Sequence, residues 1–229
     1  MIEELRKELR TLSDPNKARV LQGFFKTGPG QYGQGDIFLG ITVPQSREVA
    51  KKHAGAGMDE VRELLYSKIH EERLVALLIL VDKFKLDPEN VARFYLDNLG
   101  KVNNWDLVDL TAPKILGPFL EKGDRSLLYR LAKSRVLWER RAAMLATFHF
   151  IHNCDFRDAL KISKILLCDE HDLMHKAVGW MLREIGKRDA KTEETFLRKY
   201  YKKMPRTMLR YAIEKFPERK RRAYLEGKV

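Results

Sequence analysis

The sequence has little of what marks secreted, membrane-spanning or disulfide-built proteins. Its 229 residues include only two cysteines, Cys154 and Cys168. They lie too far apart for a CxxC pair and are too few for a disulfide scaffold, so both are expected as buried free thiols. No stretch offers the roughly eighteen uninterrupted apolar residues that a membrane helix needs. The start, Met1-Ile2-Glu3-Glu4-Leu5-Arg6-Lys7, is charged and carries no apolar leader. A soluble, cytoplasmic protein is therefore expected. Strand-like alternation is nowhere sustained, and no Ser-His-Asp or Cys-His arrangement is recognisable.

What is present is the composition of an ordered chain, 44% hydrophobic and 10% aromatic against 33% charged. Its 44 Lys and Arg outnumber 32 Asp and Glu, for a net charge of +12. That excess points to a polyanionic partner, nucleic acid first and an anionic membrane surface second.

Residues 2–25 read as helical, with Leu5, Leu9 and Leu12 at helical spacing and Asp14-Pro15 opening a second helix. The glycine-rich segment Thr27 to Asp36 contains a literal GxGxxG, Gly28-Pro29-Gly30-Gln31-Tyr32-Gly33. A dinucleotide fingerprint needs a strand before it and a helix opening on its third glycine. The residues after Gly33, Gln34-Gly35-Asp36-Ile37, open no helix, so the segment reads as a loop. Further helices are expected from Thr42-Val43-Pro44 to about Ala54, over Met58–Ser67, over 71–84 with Leu74, Leu77, Leu78, Val81 and Phe84 on one face, and from Asp87-Pro88 to about Asn98. His171-Asp172-Leu173-Met174-His175 imitates the histidine spacing of HExxH but lacks the glutamate and any evident third ligand.

A weak repeat runs through the second half. Arg141-Ala142, Lys176-Ala177 and Tyr211-Ala212 are spaced 35 residues apart, and Glu72-Arg73 and Glu139-Arg140 are 67 apart, about two such periods. Periods near 35–45 with two helices per unit signal an α-solenoid of HEAT or armadillo type. The expected architecture is all-α: one HEAT-like repeat domain over 1–229, with helices over 1–26, a loop over 27–36 and repeats from about 37, curved around a concave basic groove. In such a stack Trp105 and Asp109, Arg141, and Trp180 fall in successive units across one groove. Trp105 and Asp109 are four residues apart, so on a helix they share a face.

Four motifs then carry a resemblance. Phe38-Leu39-Gly40-Ile41 with Pro44 and Arg47, Asn104-Trp105-Asp106-Leu107-Val108-Asp109, Trp138-Glu139-Arg140-Arg141-Ala142-Ala143 and Ala177-Val178-Gly179-Trp180-Met181-Leu182-Arg183-Glu184 are similar, in this order, to the AlkD family of DNA alkylation repair glycosylases. The likeness runs from about residue 30 to 215. It implies a C-shaped stack of HEAT-like repeats clasping duplex DNA and excising N3- and N7-alkylpurines without flipping the base into a deep pocket. A monomer associated with the nucleoid, with no metal, cofactor or obligate protein partner, is expected. By the same resemblance the catalytic residues are Asp109, Trp105 and Trp180. Arg141 and Arg183 would contact phosphate, and His149, Arg47 and Lys176 complete the expected DNA-contacting set. Two departures stand out: His149 where the family's best-known type has lysine, and Val43 before Pro44 where it has threonine.

Each residue has a plainer rival reading. A tryptophan in a helical repeat is most often core, an aspartate on a helix is most often solvated or a cap, and Arg141 beside Arg140 reads as surface charge. The basic tail, Lys199-Tyr200-Tyr201-Lys202-Lys203 and Arg219-Lys220-Arg221-Arg222, suits a phosphate-tracking surface or a solvated helical face equally. Two other functions stay open: a binder of bent or branched DNA without chemistry, and a protein-binding helical scaffold.

Overall fold

The computed structural model describes residues 2–229, and the regular structure among them is helical: the all-α class is what the chain adopts. The first seven helices are α1 (Ile2–Thr11), α2 (Pro15–Phe24), α3 (Val43–Lys52), α4 (Met58–Leu65), α5 (His70–Lys83), α6 (Pro88–Asp97) and α7 (Trp105–Phe119). After them come α8 (Ser126–Ala132), α9 (Leu137–His152), α10 (Arg157–Ile165), α11 (Asp172–Gly186), α12 (Ala190–Tyr200), α13 (Arg206–Ala212) and α14 (Glu218–Leu225). The chain divides into two compact units, Met1–Thr111 and Ala112–Val229. No helix among the described residues is long and apolar enough to cross a membrane.

Local chemistry sets the helix starts. Asp14 accepts from the amides of Asn16 and Lys17 at 3.0 and 3.1 Å, with Pro15 in the first turn of α2. Thr42 and Gln45 form a capping box at α3, and Asp87 caps α6 ahead of Pro88.

The first unit is built around α5, against which α1, α3, α4 and α6 pack. Every residue of α5 from His70 to Leu80 is buried. A helix apolar on all sides belongs inside a protein, and its four leading polar residues are carried in with it. One of them, Glu71, organises the Phe38-Leu39-Gly40-Ile41 motif, its carboxylate accepting from the amides of Leu39, Gly40 and Ile41 at 2.9–3.2 Å. Gly40 is obligatory there: its φ is +84°, and a Cβ would stand 2.2 Å from the Asp14 carbonyl oxygen. A single parallel bridge, Ile37 to Ile69, ties the end of the glycine-rich loop to the start of α5.

In the second unit α9 packs on α11 and α11 on α13, with α8, α10 and α12 beside them. Gly179 of α11 lets α13 approach closely, since a Cβ there would lie 2.5 Å from the Met208 carbonyl oxygen. The 35-residue periodicity has a physical counterpart in a small hydrogen-bonding device that occurs three times. Ser67, Ser134 and Asp169 each accept, through a side-chain oxygen, the amide two residues on, at 3.0, 3.0 and 2.9 Å. The residue six positions on, Arg73, Arg140 or His175, then bonds the carbonyl of that same residue. His175 therefore holds the arginine's place in the third copy, and His171 caps α11 by accepting the Leu173 amide at 3.1 Å. The HxxxH spacing is a helix-start device, and no cluster suited to a metal ion occurs among the described residues. The last repeat is degenerate: Phe216 lies beyond α13, past a 3-10 turn over Ile213–Lys215.

The cysteines correct an expectation. Cys154 and Cys168, read as buried, are both exposed. They sit in the turns that follow α9 and α10, and such connections run over the surface.

Candidate active site

Trp105 opens α7, and the residues around it are anchored in the first unit by a buried polar network. Asn104 is fully buried: its carbonyl oxygen accepts the Trp105 amide at 2.9 Å, and its amide nitrogen donates to Asp36 at 3.2 Å. Asp106 accepts from His70 Nε2 at 2.8 Å and from its own following amide, Leu107, at 2.9 Å. The other imidazole nitrogen, Nδ1, faces Asp36 at 3.3 Å, and Arg73 reaches the same Asp36 oxygen at 2.7 Å. Burial alone would push the His70 imidazole down. Asp106 and Asp36 on either side outweigh it and raise the group to about 9, so His70 is a cation at neutral pH. Burial likewise acts to raise Asp36, but its bonds to His70, Arg73 and Asn104 hold it below the usual carboxylate range.

Against His70 stands a cluster of rings. Phe38 stacks on His70 at 4.4 Å between centroids and Phe25 on Phe38 at 4.8 Å, while Phe25 also meets His70 directly at 5.1 Å, tilted by 45°; Trp105 stacks on Phe25 at 5.0 Å with planes 6° apart. Phe24 meets the Trp105 ring edge-on at 5.9 Å. Offset and tilted stacking of this kind fixes ring planes as well as burying area.

Asp109 lies one turn on from Trp105. Along α7 Asp106, Leu107, Val108, Thr111 and Ala112 are buried, whereas Trp105, Asp109 and Pro113 form a half-buried stripe four residues apart. Asp109 is thus neither core nor fully solvated. Its charge, added to burial, raises the phenol of Tyr95, whose hydroxyl is 2.9 Å from Thr111 Oγ1. Pro113 has no amide hydrogen to offer the Asp109 carbonyl, so one ladder hydrogen bond is missing at the carboxylate's own turn while the helix runs on to Phe119.

The expected residues of the second unit are found in a different setting. Trp180 is half-buried on α11, its indole N–H donating to Glu184 at 3.1 Å and its ring 5.6 Å from Phe148. Glu184 is buried, which opposes its ionisation, yet bonds from Lys187, Trp180 and Arg188 keep it below its ordinary value. Arg141 is 4% exposed and donates to the Leu173 carbonyl at 2.5 Å, so it is no surface charge. Arg183 pairs with Glu214, Lys176 with Asp172 at 2.6 Å, and His149 with Glu121 at 3.2 Å. In the first unit, Arg47 is exposed on α3.

A largely apolar cavity of about 480 Å³ also opens in the first unit, lined by Val20, Leu21, Phe24 and Phe25 on one side and Phe38, Ile41 and Leu74 on the other. Its buried polar lining, His70, Glu71 and Asp106, is already committed to protein partners. Asn16, Lys17 and Thr42, all exposed, complete its polar lining.

Sequence reasoning missed Asp36, His70, Arg73 and the rings of Phe25 and Phe38. One signal was available: four consecutive polar residues, His70-Glu71-Glu72-Arg73, run straight into the apolar Leu74-Val75-Ala76-Leu77-Leu78-Ile79-Leu80. A helix with no solvent stripe must bury and pair such charges.

Helix after helix, with a small hydrogen-bonding device repeated along the chain, defines the class: a helical-repeat protein. The chain belongs to the family of DNA alkylation repair enzymes, whose model matches residues 5–216. Among solved structures it is similar to a predicted DNA alkylation repair enzyme from Enterococcus faecalis, at 17% identity and a TM-score of 0.70, over 90% of this chain and 97% of that one. It is also similar to AlkD2 from Streptococcus mutans, at 19% identity and a TM-score of 0.57, over 89% and 98%, and to smu.31 from Streptococcus mutans UA159, at 18% and 0.56, over 92% and 100%. At these identities the likeness bears on fold alone. No curated protein matches the sequence.

Proposed function

We propose that this repair enzyme is a monofunctional DNA glycosylase that hydrolyses the N-glycosidic bond of purines made cationic by N3 or N7 alkylation, in duplex DNA. The observation that carries the reading is the Trp105–Asp109 stripe on α7, a ring and a carboxylate held half-buried behind a fixed polar anchor. A solvated aspartate would need no such support, and a core aspartate would be fully buried.

The chemistry derives from the charge of the lesion. As the C1′–N bond breaks, its electrons pass to the alkylated base, which leaves neutral, and positive charge develops on the deoxyribose. The Asp109 carboxylate stabilises that charge, and the electron-rich faces of Trp105 and Trp180 favour it. Water adds to C1′ and gives its proton to Asp109, leaving an abasic site and the free base. Neither metal nor cofactor enters this scheme. Arg47, Arg141, His149, Lys176 and Arg183 are the assigned DNA contacts, with Lys176 and Arg183 exchanging a protein carboxylate for phosphate. The reading has the protein act as a monomer on cytoplasmic, nucleoid-bound DNA.

The test is release of free base from methylated duplex DNA. Time-dependent appearance of 7-methylguanine, with an abasic strand as the other product, is expected. Strongly salt-dependent DNA binding with no release would instead support a binder without chemistry.

A further inference from the structure

We propose that His70 is a positioning residue for the reaction, setting through a stack of rings and a shared hydrogen-bond network the placement of Trp105 and of the helical turn that carries Asp109. The inference rests on the glycosylase reading for its consequence, though the coupling from His70 to Trp105 is a property of the fold alone.

Two routes lead from His70 to the same turn. The first is steric: His70 meets Phe25 both directly, at 5.1 Å, and through Phe38, at 4.4 and 4.8 Å, and Phe25 stacks on Trp105 at 5.0 Å, so a change in the imidazole is passed through Phe25 to the tryptophan. The second is polar. Asp106, bonded to His70 at 2.8 Å, directly follows Trp105, and Asn104, bonded to Asp36 at 3.2 Å, directly precedes it. The first turn of α7 is thereby gripped on both sides of the tryptophan by carboxylates that share one imidazole. The groups facing His70 are Asp36 from the glycine-rich loop, Asp106 from α7 and Arg73 from α5 itself, and all three are nearly inaccessible to solvent.

This arrangement exceeds what is needed to fill a core. A phenylalanine or leucine at position 70 would pack against Phe38 equally well, but would leave Asp106 and Asp36 buried without the donor they share. It also accounts for the glycine-rich loop, which delivers Asp36 to His70 beneath the ring cluster. An error of about 1 Å in a reacting ring costs on the order of 100-fold in rate, so a rigid mount for Trp105 has a direct chemical use.

The experiment labels the tryptophans with 5-fluorotryptophan and assigns the three fluorine resonances by single Trp→Phe variants. His70→Gln is expected to shift the Trp105 resonance while leaving Trp138 and Trp180 in place, and to lower kcat for 7-methylguanine release about 10- to 100-fold with KM for DNA unchanged. Phe38→Leu removes one of the two ring contacts between His70 and Phe25 without touching a charge, and is expected to act in the same direction, about tenfold or less; it keeps the test open if His70→Gln fails to fold. In the wild type the Trp105 resonance is expected to titrate as pH rises through about 9, and that titration should vanish in His70→Gln. A Trp105 resonance that ignores both substitutions overturns the proposal. So does a shifted resonance with unchanged kcat, an outcome that leaves the glycosylase reading standing. If the wild type releases no base, the glycosylase reading falls, and the resonance shift alone decides whether His70 sets Trp105.

Discussion

The two units hold their candidate residues by opposite means. In the first, Trp105 and Asp109 stand on a turn fixed by buried charge: Asp36, His70, Arg73, Asn104 and Asp106 form one network out of contact with water. In the second, Arg183, Lys176 and His149 pair with carboxylates that are themselves well exposed, those of Glu214, Asp172 and Glu121. Buried networks are rigid and costly to disturb. Surface pairs are worth little and exchange partners easily. Chemistry that needs a ring and a carboxylate in fixed positions suits the first arrangement, whereas tracking a phosphate backbone of variable sequence suits the second. Arg141, buried against the Leu173 carbonyl, belongs by its setting with the rigid group although it lies in the second unit.

The contrast can be broken most forcefully at Asp36, the acceptor shared by His70, Arg73 and Asn104. Asp36→Ala leaves two buried cations without it and is expected to destabilise the fold by about 3–5 kcal/mol in denaturant titration, whereas Asp172→Ala, which frees Lys176 and the Thr207 hydroxyl, should cost about 1 kcal/mol or less. Equal losses at the two sites would erase the distinction.

Next in size is a buried acid in the second unit. Burial raises Glu193 to about 8, against the opposing pull of Lys220 and Arg183, and its Oε1 makes no hydrogen bond. Because the folded protein holds this proton more tightly than the unfolded chain, its contribution to stability is complete below the ordinary value of 4.5 and is lost as pH rises through about 8. Glu193→Gln should flatten that part of the stability profile, a difference on the order of 2–4 kcal/mol between the ends of the window. A wild-type profile already flat there would mean that Glu193 does not carry its proton in the folded protein.

The smallest effect concerns exchange. Glu214→Gln releases Arg183 from its partner and is expected to tighten duplex binding roughly two- to threefold and to steepen its salt dependence by up to about one counterion. Unaltered binding would mean that the Arg183 pair does not open to phosphate.

Much of this could be read from the sequence, and the limits have physical causes. Caps such as Asp14-Pro15 and Asp87-Pro88 are local, so helix starts were legible to within a residue or two. Trp105 and Asp109 were legible as a shared face because helical spacing alone fixes it. The network beneath them was not, because Asp36, His70 and Asp106 lie 34 and 36 residues apart and meet only through tertiary packing. Its one local trace, the charged start of α5, is masked by the strong apolar face of the same helix. The cysteines were misjudged because residue type favours burial, while their positions in helix-ending turns favour exposure. Arg141 was a similar case in reverse, a charged side chain that the repeat packing buries.

The central claim is that Asp109 carries the chemistry and not the binding. The direct measurement is single-turnover release of 7-methylguanine from methylated duplex by Asp109→Asn, with duplex affinity measured on the same preparation. The expected result is a fall in rate of at least about 100-fold with affinity within about twofold of wild type. Release at the wild-type rate would contradict the account.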